Sequence, residues 1–280
     1  MKFGNYECVS IDLGNLLVDG GAMFGVVPKV LWEKKIPADD KNRIHMKANS
    51  LLIQGNGKHI LVDTGCGNKL SEKEKKIYDI DNDINIDALL SKHGLNCEDI
   101  TDVILTHLHF DHTGGATGYK NGAVCPTFPS AVYYLQKKQW EAANYPNLRD
   151  GSSFIKDNYM PLLDSGVLKI IDGHMNLFEG IDIVVTHGHT PGQQHPLIRG
   201  EGTSLFYCAD IFPTSAHLPV VWHMAYDVDP LLVMKEKQDI LKRALKENWV
   251  LFFEHDPDII AARIKQDPKK GIVIKDSFML

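Results

Sequence analysis

Cysteine is scarce and scattered in this 280-residue chain. Cys8, Cys66, Cys97, Cys125 and Cys208 are odd in number and include no C-x-x-C pair, a pattern of reduced thiols in a cytoplasm rather than of a disulfide framework. No run of 18 apolar residues occurs, so no membrane-spanning helix is expected. The stretch from Met1 to Glu7 lacks the continuous apolar core of a signal peptide, and a cytoplasmic location is expected. Positive charge is not in excess. The net charge of −6 offers no general attraction to nucleic acid or anionic lipid. A G-x-S-x-G nucleophile elbow is also missing. Repeats, low-complexity tracts and linker-like boundaries are not found. With 44% hydrophobic and 24% charged residues, the chain reads as one α/β domain over 1–280.

Histidine, by contrast, is concentrated. Thr106-His107-Leu108-His109-Phe110-Asp111-His112 places four strong metal ligands within six residues. Asp102-Val103-Ile104-Leu105 before it reads as a buried strand. Thr113-Gly114-Gly115 after it breaks regular structure. The ligands therefore stand on a loop at the carboxyl end of a strand, a usual place for an active site in an open α/β sheet. Three further sets also follow apolar runs. Ile183-Val184-Val185 leads to His187-Gly188-His189-Thr190-Pro191-Gly192. Leu205-Phe206-Tyr207-Cys208 leads to Ala209-Asp210, and Leu251-Phe252-Phe253 to Glu254-His255. Spacing alone leaves both His187 and His189 open as ligands. If the four strand ends share one edge of the fold, their loops converge on one rim.

The remaining elements alternate. Residues 7–18 read as a strand or hairpin, and 50–53 with 59–62 flank Gly55-Asn56-Gly57, a hairpin signal. A helix is expected over 84–93 with Gly94 as its C-terminal cap. Strands are expected at 132–135, 169–171, 181–185, 204–208 and 250–253, with an edge strand at 272–274. Short helices are expected at 139–143 and 153–164. Another helix opens at Asp229-Pro230, with Leu231, Met234, Leu241 and Leu245 as its buried face. Residues 20–32 show neither helical nor strand periodicity. Their glycines and large apolar groups make the 20–45 insertion either a lid or dimer contact, or a loop packed on the core.

His107-x-His109-x-Asp111-His112, the Gly188-His189-Thr190-Pro191-Gly192 block, Asp210 and His255, in this order, resemble the metallo-β-lactamase superfamily. The resemblance runs from Asp63 to His255. It implies a four-layer αβ/βα sandwich, two mixed sheets face to face with helices outside, and a binuclear metal site at one edge. It assigns His107, His109 and His189 to a first metal and Asp111, His112 and His255 to a second. Asp210 bridges them, and Asp63 supports the site from behind. True β-lactamases of the common zinc class carry cysteine at position 210 and lack the histidine at 112. Cys208 stands two residues away, roughly 7 Å along a strand, so antibiotic hydrolysis is not expected.

Two cations would generate hydroxide from a bridging water near neutral pH and polarise the group attacked. The nitrogen and oxygen donors favour Zn2+, with Fe or Mn also compatible. The 20–29 stretch and the short ending after His255 resemble the lactonase and organophosphate-hydrolase branch. The implied reaction is hydrolysis of a lactone or ester of a small, partly hydrophobic molecule. Lactonases acting on acylated homoserine lactones have a tyrosine three residues after the bridging aspartate, where this chain has Pro213. His217, His223 and Tyr226 are candidate replacement donors to the substrate, and Met23, Phe24, Phe110 and Trp222 are candidate apolar pocket walls. Phosphotriesterase, phosphodiesterase and iron-dependent sulfur dioxygenase chemistry on the same fold are the alternatives. A small-molecule substrate is expected, with no nucleic acid or membrane partner and a homodimer as the candidate assembly.

Overall fold

The computed structural model describes residues 1–80 and 84–280. Its central strands are apolar on both faces. Leu51 and Ile53 point one way and Leu52 the other; Ile60 and Val62 oppose Leu61, and Val250 and Phe252 oppose Leu251. Successive strand side chains alternate between faces, so such strands need cover on both sides.

Two seven-stranded sheets provide it. The first runs in the order Lys2–Phe3, Tyr6–Asp19, Arg43–Gly55, Lys58–Val62, Asp102–Ile104, Val132–Gln136 and Leu168–Ile171. The second runs Met175–Phe178, Ile181–Thr186, Gln193–Arg199, Ser204–Tyr207, Trp249–Phe252, Ala261–Asp267 and Gly271–Phe278. Each sheet is built from one contiguous half of the chain. Both are mixed: the last four strands of the first sheet are parallel neighbours, as are Ser204–Tyr207 and Trp249–Phe252 in the second.

Between the sheets, Leu51, Ile53, Val62 and Ile104 meet Ile183, Leu205, Tyr207 and Phe252. Each such side chain, fully buried, contributes about 1.5–3 kcal/mol. On the outer face of the first sheet, Leu90, Ala143 and Leu162 cover Leu52, Leu61, Val103 and Tyr133. They belong to the helices Ile86–Ser91, Lys137–Asn144 and Met160–Asp164. The long helix Pro230–Glu247 covers the second sheet, laying Val233, Ile240, Leu241 and Ala244 against Phe206, Leu251 and Phe253. The layers are those of the expected αβ/βα sandwich. Among the described residues, no helix is long and apolar enough to cross a membrane.

Several elements differ from the sequence reading. Gln193–Arg199 is an unexpected central strand. Its Gln193, Gln194 and His195 are polar but buried, because Gln194 donates to the carbonyls of Leu105 and Tyr134 across the seam between the sheets. Met175–Phe178, Ala261–Asp267 and the hairpin Thr117–Lys120/Ala123–Pro126 were also not expected. Only Met160–Asp164 of the 153–164 segment is α-helical, preceded by the short turns Gly151–Ser153 and Lys156–Asn158. The 20–32 stretch forms two short helices, Gly20–Phe24 and Lys29–Trp32, too brief to show a period. The buried face of Pro230–Glu247 is rotated: Leu231 is 75% exposed, and Lys237 is buried in line with Val233 and Ile240.

At one rim, the loop after Lys58–Val62 packs backbone to backbone on the turns after His112. The Thr64 amide donates to the His112 carbonyl at 2.7 Å, and the Gly115 amide to the Gly65 carbonyl at 3.1 Å. A Cβ on Gly114 would lie 1.8 Å from the Cys66 carbonyl oxygen, and one on Gly115 2.2 Å from that of Thr64. Lys69 closes the contact by donating to the Gly114 and Thr117 carbonyls. Gly114→Ala is therefore expected to destabilise the fold by about 3 kcal/mol. A denaturant melt measures this, and a wild-type midpoint would show that the two loops part freely.

Candidate metal centre

Five strands deliver side chains to this rim. Asp63 follows Lys58–Val62, His107 follows Asp102–Ile104, and His189 follows Ile181–Thr186. Asp210 follows Ser204–Tyr207, and His255 follows Trp249–Phe252. The ligand stretch is not wholly a loop: His109 is the N-cap of a one-turn helix, Phe110–Thr113, which turns Asp111 and His112 back towards the rim. Asp63 and Ala209 adopt positive φ, +56° and +41°. For Ala209 this is a strained conformation, costing about 1–3 kcal/mol, and it immediately precedes Asp210.

Three groups of donor atoms result; one of them, Asp63, His112 and Glu254, lies on the outer side of His112, and the other two face inwards. Of these two, His107, His109, His189 and Asp210 form one, and Asp111, His112 and His255 the other. In the first, His109 Nδ1 lies 3.1 Å from His107 Nε2 and 3.2 Å from His189 Nε2, and Asp210 Oδ2 is 3.2 Å from His189 Nε2. In the second, His112 Nε2 and His255 Nε2 are 3.2 Å apart, and Asp111 reaches them at 3.8 and 3.7 Å. A tetrahedral ion with bonds of about 2.0–2.1 Å holds its donors about 3.3 Å apart, so these separations fit a metal. Asp210 reaches both groups, with Oδ2 towards His189 and Oδ1 3.2 Å from His255 Nε2.

The outer ring nitrogens decide what the inner ones offer. His255 Nδ1 faces the Lys47 carbonyl at 2.7 Å, an acceptor only, so Nδ1 carries the proton and donates. His189 Nδ1 donates to Asp227 Oδ1 at 2.8 Å. His107 Nδ1 donates to Thr106 Oγ1, whose own proton goes to Asp63 Oδ2. His112 Nδ1 faces two carboxylates, Asp63 Oδ2 at 3.1 Å and Glu254 Oε2 at 3.0 Å. In the neutral rings, four Nε2 lone pairs are thereby turned inwards, the form in which imidazole binds metal. His109 is reversed: Nδ1 points in, and its Nε2 is buried with no hydrogen-bond partner among the described residues.

Electrostatics follow from the crowding. Burial, with the neighbouring histidines adding to it, holds His107 and His109 well below the usual histidine range. Burial opposes charge on His255 too, but its hydrogen bond to Asp210 and the charges of Asp210 and Glu254 raise it to about 9. Burial pushes the Glu254 carboxyl up, with Asp63 adding to the shift. Burial alone would raise Asp210, yet His112 and His189 hold it well below the carboxylate range.

Other residues named from the sequence fall in different places. His187 lies outside both groups, and its Nδ1 accepts from the Gly192 amide. Cys208 is buried and outside both groups. His217 is not available as a substrate donor. Its Nε2 donates to the Met23 carbonyl and its Nδ1 accepts from Thr214, both at 2.8 Å. Phe24 is a correction: it is fully buried among the rings of Trp32, His217 and Trp222, and supports the wall rather than forming its face. Met23 is likewise nearly enclosed. Phe110 and Trp222 remain partly exposed, and His223 Nδ1 donates to the Met224 carbonyl. Tyr226 is 40% exposed. Its phenol is raised by burial, with Tyr78, Asp111 and Asp210 among the groups it feels.

A family model of the metallo-beta-lactamase superfamily matches residues 45–255. The chain belongs to this superfamily. A probable metal-dependent hydrolase from Staphylococcus aureus superposes with a TM-score of 0.88 at 30% identity, covering 100% of both chains. An N-acyl homoserine lactonase of Bacillus cereus is 30% identical over 170 residues, 60% of this chain, and the match spans only 61% of that protein. AidC, a dizinc quorum-quenching lactonase solved with a product, shares the fold at a TM-score of 0.80 and 23% identity, over 100% of this chain and 97% of that one.

Against the superfamily pattern, sequence reasoning passed over Asp227, Glu254 and Glu236. Glu254 adjoins His255 and was open to suspicion on that ground. Asp227 lies 38 residues from His189 in sequence and offered no signal. Glu236 projects from the long helix to accept from the amides of His187 and Gly188, setting the turn that presents His189. Asp227→Ala is expected to lower the affinity of the first group for a divalent metal about 10–100-fold. Competition with a chromophoric chelator measures it, and an unchanged affinity would mean that His189 is oriented without Asp227.

Proposed function

We propose that the protein is a binuclear metal-dependent hydrolase that opens a lactone or ester of a small, partly hydrophobic substrate. His107, His109 and His189 would hold the first ion, Asp111, His112 and His255 the second, and Asp210 would bridge them. The observation that carries this reading is the Asp210 carboxylate, whose two oxygens face histidines of different groups at the same 3.2 Å. Zinc suits a donor set rich in imidazole with carboxylate oxygens.

Two such ions, when bound, supply an activated water near neutral pH and polarise the carbonyl under attack. Asp210 can orient the attacking water by hydrogen bonding and relay the proton that this water loses to the leaving oxygen. Asp111 lies beside it with its side chain 18% exposed, where it can orient the incoming group. Tyr226, partly exposed one residue before Asp227, is the candidate donor to a substrate oxygen, with His223 in the same stretch as the alternative. Asp63 holds His112 and Thr106 from behind.

The pocket walls suit an apolar tail. Phe110 packs on Tyr78 at 5.0 Å between ring centroids, and Phe154 lies 5.0 Å from the ring of His109. Relatives named as N-acyl homoserine lactonases support the lactone class. Pro213, whose carbonyl accepts from the His255 amide, offers no phenol three residues after Asp210, so the proposal extends to lactones and esters as a class. The 20–45 insertion exposes Val26, Val30 and Leu31 on one short stretch, which suits contact with a second copy. Light scattering on Val30→Glu tests that contact, which is refuted if the parent is already a monomer.

Zinc-loaded protein is expected to hydrolyse lactones or aryl esters with two metal equivalents per chain. Asp210→Ala should lose metal and at least about 100-fold in kcat/KM together. Full activity in that variant would refute the bridging role. Turnover confined to phosphotriesters would transfer the site to the phosphotriesterase reading, and a single iron without ester turnover to the dioxygenase reading.

A further inference from the structure

The helix Pro230–Glu247 buries a lysine that the metal chemistry does not use. Lys237 lies on the apolar face with Val233, Ile240, Leu241 and Ala244, and none of its surface is exposed. A buried ammonium ordinarily needs a carboxylate. Among the described residues no carboxylate lies within ion-pair distance of Lys237. Instead Nζ donates to three carbonyls: His217 at 2.6 Å, Pro219 at 3.0 Å and Trp222 at 2.6 Å. These match the three donors of an ammonium one for one. The charge also lies 5.1 Å over the ring of Phe212, two residues beyond Asp210.

The three carbonyls belong to one six-residue segment, 217–222, which ends at the partly exposed Trp222 and leads on towards the first donor group. Its two ends carry rings that hold Phe24 from different sides. His217 stacks on Phe24 at 4.6 Å between centroids, and Trp222 meets it edge-on at 5.7 Å. The segment continues through His223 and Tyr226 to Asp227, which accepts from the Met224 amide with one oxygen and from His189 with the other. Lys237 thus gathers the start of the wall, and Asp227 joins its end to the first donor group.

We propose that Lys237 is a positioning residue: its ammonium fixes the 217–222 wall and thereby sets the preference for the apolar part of the substrate. A methionine at 237 would fill similar space but leave three carbonyls without a donor, and the wall would have to turn to find water. Trp222 would move with it, while the ligands of both metal groups, held by other partners, would stay. The substrate part rests on the hydrolase reading above; the placement of the wall does not.

The test compares Lys237→Met with the parent, both loaded with zinc. Metal content and circular dichroism are expected to match. KM for a long-chain lactone should rise roughly tenfold with kcat within about twofold, and the preference for long over short chains should fall by a similar factor. Quenching of tryptophan fluorescence by acrylamide should increase as Trp222 becomes more accessible, and Trp222→Phe should abolish that increase. Unchanged quenching with an unchanged chain-length preference would overturn the proposal. If the parent hydrolyses no lactone or ester, the hydrolase reading fails while the quenching comparison still tests Lys237. If Lys237→Met does not fold, hydrogen exchange on the parent decides. The 214–222 peptide should be as protected as the strand Trp249–Phe252, and rapid exchange there would refute a fixed wall.

Discussion

Everything at the rim depends on hydrogen bonds made on the far side of the imidazoles. A histidine free to rotate or to choose its tautomer offers metal a lone pair only part of the time. Here the Lys47 carbonyl, Thr106, Asp227 and the Asp63–Glu254 pair each engage an outer nitrogen. The inner nitrogens then face one another at 3.1–3.2 Å, a distance that is unfavourable between lone pairs and becomes favourable with a cation between them. The cost of that crowding is borne by the two sheets, whose shared apolar core holds the rim together.

Glycine lets the frame approach so closely. At Gly114 and Gly115 the turns after the His112 helix lie directly against the carbonyls of Cys66 and Thr64, and at Gly188 the loop before His189 lies against the amide of Val233. Each removes a side chain where two backbones must touch. The ligand loops are therefore fixed by packing on neighbouring elements rather than by regular structure of their own. That is why residues from five separate strands meet within hydrogen-bond distance.

Much of this was legible in the amino-acid order. The four ligand stretches each follow an apolar run that reads as a strand, and the two sheets with helices outside were what the resemblance to the superfamily implied. What escaped has physical causes. The strand Gln193–Arg199 is polar in composition because its side chains hydrogen-bond across the seam, so its sequence lacks the apolar signature of a buried strand. The face of the long helix was misjudged because a lysine occupies its centre, and a lysine reads as solvent-facing unless the three carbonyls awaiting it are known. Phe24 reads as a pocket wall because an aromatic in an irregular stretch offers no hint of the rings that enclose it. Asp227 supports a histidine far away in sequence, a relation that only folding creates.

Each sheet is made from one half of the chain, and each donor group draws on both halves. His107, His109, Asp111 and His112 come from the first half; His189, Asp210 and His255 come from the second. A chain emerging during synthesis therefore holds four of these seven candidate donors well before the others exist, and gains the last only when Trp249–Phe252 is in place. Neither group can close around an ion on one sheet alone. Each candidate donor set is therefore a seam feature: it is complete only where the two sheets dock, and separating the halves would divide both sets.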